Sequence, residues 1–83
     1  MPKPSQRDAI IKRLISSIRE ERMRQALSMN EVAQRAGLSH TMVMRVEKGE
    51  RMPTIDTLLR ITDAMGVDLG KLIQRAMKDV RGF

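Results

Sequence analysis

The sequence predicts an all-α fold of five helices, on three observations. Apolar residues recur at three- and four-residue spacing along five segments, and a residue suited to capping (Ser5, Ser28, Ser39, Thr54 or Asp68) stands ahead of each. Glycines close the second and fourth segments, and no stretch reads convincingly as a strand. There is no internal repeat and no low-complexity segment.

The first helix begins at Pro4 and Ser5, where Ser5 and Asp8 have capping-box spacing, and continues to about Ala26. Its apolar stripe is Ile11, Leu14, Ile15 and Ile18. Carried on at about 100° per residue, the stripe next meets Arg22, a charge on an inward face that needs a partner.

The second helix follows Leu27-Ser28-Met29-Asn30-Glu31-Val32. Ser28 can accept from an orphan amide, Glu31 can reach back, and Leu27 can staple to Val32. Val32, Ala33 and Ala36 face inward, and Gly37 ends the helix because it adopts a left-handed conformation without steric cost. Leu38 plugs the corner. Ser39 caps a third helix from His40 to about Lys48, with Val43 and Val46 inward. Residues 29–48 therefore form a tight helix-turn-helix, in which the small Ala33 allows a close crossing.

A loop from Gly49 to Pro53 leads to Thr54, which caps a fourth helix carrying Ile55, Leu58, Leu59, Ile61, Ala64 and Met65 up to Gly66. Asp68 caps a fifth with the row Leu69, Leu72, Ile73, Ala76, Met77 and Val80. Two covers for that row are open: the turn of the first helix bearing Ile10 and Ile11, or the same helix of a second copy. A two-fold dimer built partly by the fifth helix is expected.

These residues resemble the Cro/C1-type helix-turn-helix family of phage repressors and bacterial regulators, the XRE family. The resemblance rests on Ile18-Arg19, Arg22, Leu27-Ser28, Val32-Ala33, Gly37-Leu38-Ser39, Val46-Glu47-Lys48-Gly49, Pro53, and the block from Leu58-Leu59-Arg60-Ile61 to Met65-Gly66-Val67. It spans roughly Ile15 to Ile73. Two positions depart from the pattern: Met29 stands where a glutamine commonly binds phosphate, and Ala26 where a glycine commonly ends the first helix. The resemblance implies a lambda-repressor-like five-helix domain over residues 1–83, with an extended first helix and a carboxy-terminal helical extension over 74–83. It also implies that Arg22 pairs with Glu47 and locks the third helix to the scaffold.

Because Val43 and Val46 set the buried direction, Thr41, Met44, Arg45 and Lys48 occupy the opposite side, with His40 at the amino-terminal tip. A major groove admits one helix, and that helix's amino-terminal residues come nearest the base edges. By position, the family pattern carries base reading onto His40, Thr41, Met44 and Arg45. The Arg45 fork suits guanine, Thr41 a base edge or thymine methyl, and Met44 an apolar contact. Lys48 and the amides at the starts of the two motif helices are expected to meet phosphates, as are Ser28, Ser39 and Arg51. For each of these side chains a purely structural or solvated role is the competing reading.

Composition limits the alternatives. Eighty-three residues make one small domain with no room for a separate catalytic one. No cysteine is present, so disulfides and thiolate metal sites are excluded. No apolar run approaches a membrane span, and Met1-Pro2-Lys3-Pro4-Ser5 lacks a signal-peptide core, so a cytoplasmic protein without membrane contact is expected.

Residues 1–53 hold 11 basic and 6 acidic side chains (net +5), while residues 54–83 hold 5 and 4 (net +1), so the positive field lies with the helix-turn-helix. The single aromatic residue, Phe83, argues against single-strand recognition by stacking. His40 is the lone histidine, with no neighbours to complete a metal site, and no nucleophile-elbow, phosphate-loop or paired-acid pattern occurs, so neither cofactor, metal nor catalysis is expected. Met23, Met42, Met52, Met65 and Met77 are expected to fill core gaps.

The expected function is a sequence-specific double-stranded DNA-binding transcription regulator, repressor-like and homodimeric on a two-fold operator. The alternative is an antitoxin or other protein-contact module on the same scaffold, which would leave the apolar fifth helix uncovered.

Overall fold

The computed structural model describes residues 5–82 and contains α1 (Gln6–Arg24), α2 (Met29–Ala36), α3 (His40–Glu47), α4 (Ile55–Met65) and α5 (Leu69–Arg81), with no strand among the described residues. The start assigned to Pro4 lies outside them, as does Phe83 at the end of the extension. Each expected cap acts: Ser5, Ser28, Ser39, Thr54 and Asp68 accept from the amides of Asp8, Glu31, Met42, Thr57 and Lys71. Each satisfies an amide that has no partner inside its helix.

The helices enclose one core in which Ile18, Val32, Val43, Val46 and Ile61 are almost wholly buried, joined by Leu14, Leu58, Met65, Leu69 and Leu72. Thr62 is also fully buried, and its hydroxyl donates to the Leu58 carbonyl at 2.9 Å. Ser17 does the same to Arg13 at 3.0 Å. Back-bonding to the preceding turn removes the cost of an unpaired hydroxyl, so inward positions that do not look apolar in the sequence still pack.

The most extensive helix contact is between α1 and α5. Arg13 Nε, in the middle of α1, donates to Asp79 Oδ2 at 2.9 Å, and Arg81 Nε donates to Gln6 Oε1 at 3.2 Å, tying the end of α5 to the start of α1. Leu69, Leu72 and Ala76 are buried, while Ile73, Met77 and Val80 are half-buried. Of the two possible covers for the α5 row, the first helix of the same chain supplies the one observed.

Three details differ from expectation. First, α1 stops at Arg24, two residues before Ala26: the Ala26 amide bonds to Met23 and the Leu27 amide to Arg22, turning the chain away with Ala26 at φ 56°. Second, Met23 and Met52 are exposed rather than core, since Met23 follows the inward Arg22 by one step of about 100° and Met52 lies in the α3–α4 loop; Met65 is buried, and Met42 and Met77 are half-buried. Third, Ile55 and Leu59 are exposed, because the inward face of α4 runs through Leu58, Ile61, Thr62 and Met65 and leaves that four-residue pair outside.

Candidate nucleic-acid interface

Gly37, at φ 68°, makes the turn between α2 and α3, and the Leu38 amide returns to the Ala33 carbonyl at 2.9 Å. From α4, Arg60 Nη1 reaches the Ala36 carbonyl at 3.5 Å while its Nε donates to Asp56. The motif is thus tied to the scaffold from its back. At the end of α1, Gln25 Nε2 donates to the Met65 carbonyl at 2.9 Å, joining the ends of α1 and α4. Neither tie is visible in local sequence spacing, because each joins distant segments.

Arg22 makes three bonds. Its Nε and Nη2 donate to the two Glu47 carboxylate oxygens at 2.6 and 2.9 Å, and its Nη1 donates to the Leu27 carbonyl at 2.8 Å. The side chains are 12% and 3% exposed, so the pair is shielded from water and differs from an ordinary surface ion pair. Its hydrogen bonds with Glu47 raise the Arg22 pKa above its already high ordinary value, against the opposing effect of burial. The inward charge on α1 therefore grips the last residue of α3.

With Val43 and Val46 fully buried, the opposite side of α3 faces out. His40, Thr41, Arg45 and Lys48 are exposed, and Met44 is half-buried. Met42 packs against the core. Arg51 is exposed in the following loop. Among the described residues, His40, Arg45, Lys48 and Arg51 form no ion pair.

The two motif helices differ at their amino ends. On α2 the capping box is closed: the Glu31 amide donates to Ser28 Oγ at 3.0 Å and the Ser28 amide to Glu31 Oε1 at 3.1 Å. The Ser28 amide, and secondarily its hydroxyl, hold the Glu31 carboxyl below its ordinary value. A carboxylate thus already sits at that positive helix end. On α3 Ser39 caps Met42 at 3.1 Å and the first turn carries no acid, so its dipole end is uncompensated. Met29, at the family's glutamine position, is half-buried and packs against the core.

An open notch of about 500 Å³ lies beside the carboxy-terminal end of α3, with Lys12, Lys48 and Arg51 in its lining alongside Asp8 and the apolar Ile11 and Ile15. Lys12 carries no local signal linking it to this surface; only the packing of α1 brings it there. Among the described residues no group of three or more His, Cys, Asp or Glu could hold a metal ion, and no helix is long and apolar enough to cross a membrane.

The fold and this outward helix define a helix-turn-helix domain. A helix-turn-helix family model matches residues 18–72, and the chain belongs to that family, of the Cro/C1 (XRE) type. It is similar to two uncharacterized HTH-type transcriptional regulators of Mycobacterium tuberculosis, from strains CDC 1551 and H37Rv, each 38% identical over 61 residues. The match covers 74% of this chain and 44% of each relative, so the chain spans less than half the length of these curated relatives. No solved structure matches it.

Proposed function

We propose that this protein is a sequence-specific double-stranded DNA-binding regulator of the repressor-like kind that places α3 in the major groove. The observation that carries the reading is a short helix anchored on one side by Val43, Val46 and the Arg22–Glu47 pair, with uncommitted His40, Thr41 and Arg45 on the other. In this reading Arg45 reads guanine, Thr41 and His40 sit nearest the base edges, and Met44 lies against a thymine methyl. Lys48, Arg51, Ser39 and the α3 amino end position the helix on phosphates. Ser28 contributes less, because Glu31 already occupies the α2 end.

The active species in this proposal is a homodimer on a two-fold operator, with half-sites about one DNA turn, ~34 Å, apart. With α1 packed on α5, this proposal seats the second copy where Ile73 of the α5 row is only half-buried. The surface that favours it is an apolar groove of about 270 Å³ lined by Met52, Ile55, Ile10, Leu58 and Ile73, with Leu59 also exposed one turn along α4 from Ile55. The antitoxin-type alternative would be favoured by an uncovered α5; Leu69, Leu72 and Ala76 of that helix are buried, and Ile73, Met77 and Val80 are half-buried.

The test is selection of bound sequences from a random duplex pool. Enrichment of a two-fold motif is the expected result; a pool that stays random after repeated rounds would overturn sequence-specific reading.

A further inference from the structure

Resting on the DNA-binding reading, we propose that the notch between α1 and the α3–α4 loop is an added phosphate seat, in which Lys12 joins Lys48 and Arg51 on the backbone of the bound duplex. Three cations from separate parts of the chain line one open concavity: Lys12 from α1, Lys48 at the end of α3, and Arg51 in the loop. All three are exposed, and none forms an ion pair among the described residues. Of the two acids bordering the notch, Glu47 is consumed by Arg22, which holds both its oxygens, and only Asp8 remains as an opposing charge. Like charges held together without partners favour an anion between them.

The anion is a DNA phosphate because the notch directly continues the carboxy-terminal end of the outward helix. A helix filling a groove about 12 Å wide has a phosphate strand along each flank, and an open channel suits a continuous backbone. Lys12 precedes the residues matched by the family model, which begin at residue 18. In this proposal the extended first helix adds affinity for DNA as well as covering α5.

The test is binding of the full chain to random-sequence duplex DNA across a salt series. The variants are Lys12→Gln, Asp8→Asn and, as a control for net charge, Lys71→Gln on α5, which does not line the notch. Lys12→Gln should weaken binding and flatten the log–log salt slope by about 0.9 per chain. Asp8→Asn should tighten it, and Lys71→Gln should leave the slope near that of the parent. Circular dichroism melts establish that each variant folds.

Steep, salt-dependent binding by the parent with Lys12→Gln indistinguishable from Lys71→Gln would overturn the phosphate seat and leave the DNA reading standing. A parent chain with no salt-dependent binding would remove both.

Discussion

Arg22 reaches from α1 to Glu47, the last residue of α3, with two parallel bonds of 2.6 and 2.9 Å, while its third nitrogen group holds the Leu27 carbonyl at the entrance to α2. One guanidinium thus fixes the orientation of both motif helices relative to the body. Glu47→Ala leaves that guanidinium shielded and half-satisfied, at a cost on the order of 1–3 kcal/mol against under ~1 for a surface pair. For a domain of this size each kcal/mol lowers Tm by about 4–8 °C. An unchanged melting curve would mean that the pair contributes nothing in solution.

Ala26 adopts φ 56°, a region where its Cβ is crowded and glycine is not. Ala26→Gly should therefore stabilise the protein by about 1 kcal/mol, relief of strain outweighing the greater backbone entropy of unfolded glycine. Urea denaturation measures it; a loss of stability would show that this turn is unstrained.

Arg45 and Lys48 face the same side of α3 but have different expected roles. Arg45→Ala should cost about 1–3 kcal/mol on the selected site and much less on random DNA, whereas Lys48→Ala should weaken both alike and reduce the salt slope by about 1. Paired titrations on cognate and random duplexes separate them. Equal losses for Arg45→Ala on both would remove it from base reading.

Ile55 and Leu59 on α4 are both exposed, at 62% and 44%. Leu59→Asp should shift sedimentation from twice the 9.5 kDa chain mass to the monomer and leave the monomer's melting temperature nearly unchanged, since no core contact is lost. A parent protein that sediments as a monomer at operator-binding concentrations would eliminate the dimer.

Glu31 has its carboxyl pKa held below the ordinary 4.5 by the Ser28 amide and hydroxyl. A folded-state value below the unfolded one means that the unfolded chain binds the proton first. The stabilisation is therefore present above about pH 4.5 and is lost as pH falls through the lower folded value. Glu31→Gln should be less stable than the parent at neutral pH, with the difference shrinking below pH 4.5. A gap that stays constant down to strongly acid pH would contradict the capping-box linkage.

The five helices, their caps and the Gly37 turn were legible in the sequence because each rests on partners within five residues: Ser28 with Glu31, Ser39 with Met42, Leu38 with Ala33. The exposure of His40, Thr41, Arg45 and Lys48 was equally legible, since two buried valines suffice to orient an eight-residue helix, whereas Met44 of the expected outward set is half-buried. The notch was not, because Lys12 and Arg51 meet only through the packing of α1. Arg60 and Gln25, which brace the motif and the scaffold by bonding carbonyls of distant helices, carry no local signal either.

The sequence by itself determined where each helix begins, which face it mainly buries and which side of α3 faces out, because those properties follow from helical period and capping chemistry. Tertiary structure alone decided what covers the α5 row, and with it which apolar residues remain outside. An apolar stripe specifies only that it must be covered, and both α1 and a second copy could have done so. Closing a loop within one chain grows only slowly in cost with length, while joining two molecules sacrifices translational and rotational freedom worth roughly 4–15 kcal/mol. Packing therefore favours α1 on α5 and leaves Met52, Ile55 and Leu59 exposed to solvent.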